Sequence, residues 1–263
     1  MIDLLTKKLV LLLIFIIILI VKPTSVVAYS YESQKQESQV SNNEALIAFT
    51  TAVSDANNRL QRFRQSKQAI ALTQTSEDIK GNIFQRRFTP SSYDNNEIVG
   101  TWETLRADDE FNESITVSDD ILFDSTNFDL DTVKLIRQTE STWVFQINNI
   151  INVDSEDDSV EQELERLDNV MTEHLFTEIT VSKQFSQIKN MKIFAASEFK
   201  PSWLLTVRKF ELRLAFNEAW PDGPIIRKSI TRHVKGQYGW LMSIDELVTS
   251  ELTGIEKVTL PDS

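Results

Sequence analysis

Between Phe199 and Trp240 the chain gathers eight basic and only three acidic residues, a net charge of +5. Lys200, Arg208, Lys209, Arg213, Arg227, Lys228, Arg232 and Lys235 are interleaved there with Trp203, Trp220, Tyr238 and Trp240. Guanidinium and ammonium groups hold carboxylates and phosphates, and indole rings cover the apolar or ring-shaped parts of the same ligand. The stretch therefore suits docking of an anionic lipid headgroup, a glycan or an acidic partner. Trp203, Arg208, Arg213, Trp220, Arg227, Lys228 and Arg232 are its candidate ligand-binding residues. The same charges have a plainer use. Asp94 to Glu178 holds 23 acidic and four basic residues, a net of −19, and the basic stretch has ample carboxylates to pair with inside the molecule.

Other chemistries find little purchase. His174 and His233 are distant from each other in sequence and there is no cysteine, a poor start for zinc, which needs three or four placed ligands. Asp154-Ser155-Glu156-Asp157-Asp158, with Glu165 at the twelfth position, approaches a calcium loop. The sixth position, where the loop needs glycine, is Ser159, and an acidic helix start accounts for the run. No glycine-framed serine elbow or Ser-x-x-Lys occurs, and six scattered glycines make no phosphate loop or dinucleotide fingerprint. No cofactor is implied. Paired carboxylates would support a hydrolase of glycans or esters, but nothing in the sequence selects a pair. A structural envelope component is the third reading.

The elements that position these residues begin with an address. Lys7 and Lys8 precede an apolar run from Leu9 to Val21, followed by Lys22-Pro23-Thr24-Ser25 and Val26-Val27-Ala28. A charged start, a 13-residue apolar core and a small-residue exit form a secretory signal peptide, with cleavage expected after Ala28. A membrane span needs about 20 apolar residues, so no integral span is expected after cleavage. The mature chain then carries 24 basic and 38 acidic residues, a charge of −14, which overall repels nucleic acid and anionic membrane surfaces. An exported chain without cysteine has neither disulfides nor a lipid anchor. The periplasm or the extracellular medium is the expected place, with envelope lipid, glycan or protein as partner.

Residues 29–40 read as a flexible polar leader and 41–263 as a single α+β domain. Ser41-Asn42-Asn43-Glu44 fits a capping box. Leu46, Phe49, Val53, Ala56, Leu60 and Phe63, spaced three and four apart, then predict a long N-terminal helix. A second helix is expected near 157–175, from Val160, Leu164, Leu167, Val170 and Met171. Ile83–Phe88, Val99–Leu105, Thr132–Ile136 and Thr142–Ile147 have strand composition. In the acidic stretch between them, Phe111, Leu122, Phe123 and Phe128 are expected anchors on the core. Ile179 and Val181, then Met191, Ile193 and Ala195, alternate with polar residues. Phe210, Leu212, Leu214 and Phe216 line one face of a further strand, with Lys209, Glu211 and Arg213 on the other. This pattern predicts a curved antiparallel meander with one wet face. Trp220-Pro221-Asp222-Gly223-Pro224 predicts a turn, and Gly236 with Gly239 brackets another.

Four segments carry a resemblance: Arg87-Phe88-Thr89-Pro90 with Trp102 and Leu105, Thr177 to Lys183, Phe199-Lys200-Pro201-Ser202, and Val207-Arg208-Lys209-Phe210. Over residues 81–255 the chain resembles a group of uncharacterised exported bacterial proteins, a likeness that implies export but no activity. In outline, a curved sheet cradling helices also looks like the unclosed barrel of LolA-type lipoprotein carriers, an analogy of architecture alone.

Overall fold

The computed structural model describes residues 39–94, 97–109, 111, 121–123, 125, 128–149, 174–240 and 242–260. Helix α1 (Gln39–Gln65) contains no proline or glycine and buries Ala45, Ala48, Phe49, Ala52, Val53, Ala56, Leu60 and Phe63. It begins two residues before Ser41, which lies within the first turn. The buried stripe is also rotated from the one expected. Leu46 is exposed and Ala45, Ala48 and Ala52 face inward, because small side chains let a helix backbone approach a sheet closely. The Ser66 backbone N–H and hydroxyl both donate to Phe63 O, at 3.0 and 2.7 Å. Lys67 then turns with a φ of 50° and the chain becomes extended.

Ten strands follow: β1 (Gln68–Asp78), β2 (Ile83–Asp94), β3 (Glu97–Ala107), β4 (Phe128–Gln138), β5 (Thr142–Asn149), β6 (Leu175–Ser182), β7 (Ile188–Ala195), β8 (Leu205–Glu218), β9 (Ile225–Tyr238) and β10 (Met242–Thr259). They form one antiparallel sheet in the order β3-β2-β1-β10-β9-β8-β7-β6-β5-β4. The first strand pairs with the last, with Gln68 opposite Thr259 and Ser76 opposite Ser250. Every other pairing joins consecutive strands, which is the expected meander with its ends joined in the middle. The sheet is not closed, since β3 and β4 stand at its two edges. Mostly antiparallel strands with a helix on one face make an α+β architecture.

Helix α1 lies across the inner face. Its first half packs with Trp143, Phe145 and Ile147 of β5, Ile179 and Val181 of β6, and Leu214 and Phe216 of β8. The Phe49 and Phe145 rings meet at 4.8 Å between centroids. Phe63, near its end, packs with Ile70 and Leu72 of β1 and Leu252 of β10. A second cluster contains no residue of α1: Ile193, Phe199, Leu205, Val207, Phe210, Val234 and Ile244. Phe111 and Phe123 are buried as expected, Phe111 stacked on Phe84 and Phe123 edge-on to Phe216.

Several expectations need adjusting. The strands outrun their short sequence signals, and β1 and the 18-residue β10 carried none that stood out. Trp220–Pro224 does turn the chain between β8 and β9, with Gly223 N–H donating to Trp220 O at 2.8 Å. Gly236, by contrast, is not in a turn. It sits within β9, where a Cβ would stand 2.5 Å from Thr206 O. The expected signal peptide lies outside the described residues, as do 157–173 of the expected second helix; Leu175 opens β6. Among the described residues no helix is long and apolar enough to cross a membrane.

Phe49→Ala should lower the unfolding free energy by about 3–5 kcal/mol, because it leaves a hole between helix and sheet. Leu46→Ala, on the exposed side of the same helix, should change it by less than about 0.5 kcal/mol. Urea unfolding of both variants measures the difference.

Candidate functional site

The antiparallel register places the basic stretch residue by residue. On the outer face, Glu211 of β8 accepts from Arg213 Nε at 2.7 Å and lies 3.6 Å from Lys192 Nζ of β7. Burial pushes the Glu211 carboxyl up, but the hydrogen bond and charge of Arg213 outweigh it and hold the group below its ordinary range. Lys209 Nζ of β8 lies 3.0 Å from His233 Nδ1 of β9, and Lys235 of β9 donates to Asp245 of β10 at 2.9 Å. The hydrogen bond from Lys235 lowers the Asp245 carboxyl. Arg208 is exposed, donating to Gln237 Oε1 at 2.8 Å and standing 3.8 Å from Glu198. Cations and carboxylates thus alternate across neighbouring strands, each pair a modest surface contact.

The remaining candidates go elsewhere. Trp220 belongs to the β8–β9 turn, 6.0 Å from Phe63 between ring centroids. Trp203 precedes β8 and lies at the opposite end of that 14-residue strand, roughly 45 Å away at strand rise. Arg227 is buried, its backbone N–H donating to Ile121 O at 2.7 Å. Lys228 is exposed where the β8–β9 register shifts. Arg232 points to the inner face, opposite Leu212, and Arg227 lies opposite Phe216 on that face too. The seven residues form no common surface, because alternate residues of a strand face opposite ways and β8 carries its flanking tryptophans to opposite ends.

Arg232 marks a different site. Thr177 on β6 is opposite Ile193 on β7, Ile193 opposite Leu212 on β8, and Leu212 opposite Arg232 on β9. Arg232 in turn faces Val248 on β10. This row crosses the inner face between the helix-covered cluster and the second cluster. Its polar groups are poorly satisfied. Arg232 Nη2 stands 3.7 Å from Glu246 Oε2, an ion pair beyond hydrogen-bond distance. Among the described residues Arg232 Nε, Glu246 Oε2 and Thr177 Oγ1 are buried without a hydrogen-bond partner. Burial pushes the Glu246 carboxyl above its ordinary range despite the attraction of Arg232, and burial lowers Arg232 despite Glu246. Most buried polar atoms are paired; of the four without a partner among the described residues three lie on this face, and the fourth is His233 Nε2 on the outer one.

Further along the inner face, Ser76 and Ser250 hydroxyls meet at 2.6 Å. Arg86 of β2 donates from Nε and Nη2 to Gln74 Oε1 of β1, at 3.0 and 2.8 Å, and stacks 3.9 Å over the Trp102 ring of β3. The half of the face formed by β9, β10, β1 and β2 is therefore laced with buried polar side chains. The sequence reading missed Glu246, although a signal was there. In Ile230-x-Arg232-x-Val234 and Ile244-x-Glu246-x-Val248 the charge falls on the apolar phase of its strand. The described residues hold no cluster of three or more metal-ligating side chains.

Compared with protein-family models, curated proteins and solved structures, the chain matches none.

The raised Glu246 carboxyl gives a pH test. A carboxyl whose folded pKa exceeds its unfolded one stabilises the fold fully below the unfolded value and loses that contribution as pH rises through the folded value. Glu246→Gln removes the titration and leaves the other carboxylates in place. The unfolding free energy of the variant, relative to the parent, should therefore rise between pH 4 and pH 8, as read from paired urea titrations.

Proposed function

We propose that this chain is an exported, non-catalytic protein of the periplasm or extracellular medium whose inner sheet face holds an amphipathic envelope ligand. The observation that carries the reading is the Arg232–Glu246 pair, buried on an apolar face with Nε and Oε2 left without partners. An acidic headgroup placed there would give the guanidinium the short charge-assisted hydrogen bonds that Glu246 does not supply at 3.7 Å. The second cluster, with Phe210, Val234 and Ile244, offers apolar surface beside it for the ligand's body. A ligand acid would also compete with Glu246, whose burial already favours the neutral carboxyl, so that the site exchanges one negative partner for another. The likeness to LolA-type carriers stays one of architecture and assigns no residue a role.

A carboxylate hydrolase would need two facing carboxyls. The charged neighbour of Glu246 is Arg232, and this favours binding over hydrolysis.

Native mass spectrometry after mild extraction should find the protein carrying a lipid-like acid. Titration with a long-chain carboxylate should saturate at one equivalent. Arg232→Met keeps an unbranched stem without the guanidinium and should weaken that binding by about tenfold or more, the scale of one charged hydrogen bond, with the circular dichroism spectrum unchanged. A parent protein with no copurifying ligand and no saturable binding would overturn the reading.

A further inference from the structure

Two tryptophans stand almost entirely in solvent. Trp203 is 89% exposed and Trp240 is 85% exposed. An indole ring is the largest apolar surface a side chain offers, and leaving it in water is unfavourable unless something covers it. The two are neighbours at one end of the sheet. Gly239 N–H donates to Leu204 O at 2.6 Å, and Leu205 is opposite Tyr238. The tryptophans each sit one residue from that hydrogen bond, on loops one strand spacing apart, about 5 Å.

The Trp203 loop is pinned at its base by two hydrogen bonds between Phe199 and Val207, at 3.0 and 2.8 Å. Leu205 N–H closes it onto Ser202, whose hydroxyl accepts at 3.2 Å, and Pro201 within it is fully buried. Gly239 turns the second loop with a φ of 55°, which presents Trp240 just beyond the strand.

Charge selects what covers them. The whole chain is strongly acidic, at −12, yet Lys200 beside Trp203 is exposed and engages no ion pair among the described residues. Arg208 is exposed nearby, its one acidic contact the 3.8 Å approach of Glu198. A chain of this net charge is repelled by an anionic surface in most orientations and approaches it best with its basic end leading. In the chain Trp203 stands between Ser202 and Leu204, with the buried Pro201 one residue further back, and Trp240 follows Gly239.

We infer that the Trp203–Trp240 end of the sheet is a docking surface for an anionic lipid bilayer. The indoles sit at headgroup depth, where Trp is favoured for its apolar body and polar N–H, and Lys200 meets lipid phosphate. This surface is separate from the inner face and does not depend on a ligand being bound there. Binding through two rings and few cations is weak and reversible.

The test uses the purified protein with vesicles of phosphatidylglycerol and phosphatidylethanolamine, and with vesicles of phosphatidylcholine alone. Brominated acyl chains quench tryptophan that reaches the bilayer, and residues 1–28 contain no tryptophan, so the readout reports the folded part of the chain. The parent should show quenching on anionic vesicles and little on neutral ones. Trp203→Ala and Trp240→Ala should each reduce vesicle affinity by about tenfold, and the double variant should abolish binding and quenching. Lys200→Glu should weaken binding to anionic vesicles only. All three positions are exposed, so urea midpoints should match the parent. Absence of quenching in the parent, or a double variant that binds as the parent does, would overturn the inference. So would rings that mediate binding to an envelope glycan or protein while ignoring vesicles. Long-chain carboxylate binding, measured on the same double variant, reports the inner face independently.

Discussion

A sheet of ten strands has two faces, and the inner one offers more apolar surface than water tolerates, so its burial governs everything else in this molecule. One 27-residue helix does the first part of that work. It crosses from the β5–β8 half, where Phe49 meets Phe145, to β1, where Phe63 meets Leu72. Four of its inward positions, Ala45, Ala48, Ala52 and Ala56, are alanines, and this lets the helix settle close to the strands. The consequence is division. One cluster lies under the helix, a second contains none of it, and the cross-strand row from Thr177 to Arg232 runs between them.

That row sets the electrostatics of the inner face. A buried ion pair repays its desolvation only when geometry is close and the leftover groups are hydrogen-bonded. Arg232 and Glu246 meet neither condition at 3.7 Å. On the outer face the contacts are closer, since Arg213 meets Glu211 at 2.7 Å, Lys209 meets His233 at 3.0 Å and Lys235 meets Asp245 at 2.9 Å. The same stretch of sequence supplies both environments. Its excess of positive charge is spent mostly within the molecule, and what stays without an ion pair among the described residues is Lys200 beside Trp203 and Lys228 toward the opposite end of the sheet.

Much of the fold was legible where one signal repeated. In β8 the alternation of Phe210, Leu212, Leu214 and Phe216 with Lys209, Glu211 and Arg213 read correctly as one buried and one wet face. The turn at Trp220–Pro224 was legible from its proline and glycine chemistry. β1 was not, because Gln74 and Ser76 are polar and yet almost fully buried, each satisfied by a partner from a neighbouring strand. Gly236 misled for a related reason: a glycine in a strand looks like a turn until the backbone approaching it, here Thr206 O, is known. The candidate site suffered most. Counting charge over Phe199–Trp240 merged residues that face inward, outward and past both ends of the sheet.

By itself the sequence determined what is local: an apolar stripe over the first helix, the period-two alternation of β8, the tight turn after it, and the absence of thiol chemistry. Tertiary structure decided who meets whom. That β1 pairs with β10, that Arg232 lies across from Leu212 and near Glu246, and that Leu204 touches Gly239 are matters of strand order and register. Alternation is written into each strand, whereas register follows from burying one face of the entire sheet at once, a condition that no single segment carries.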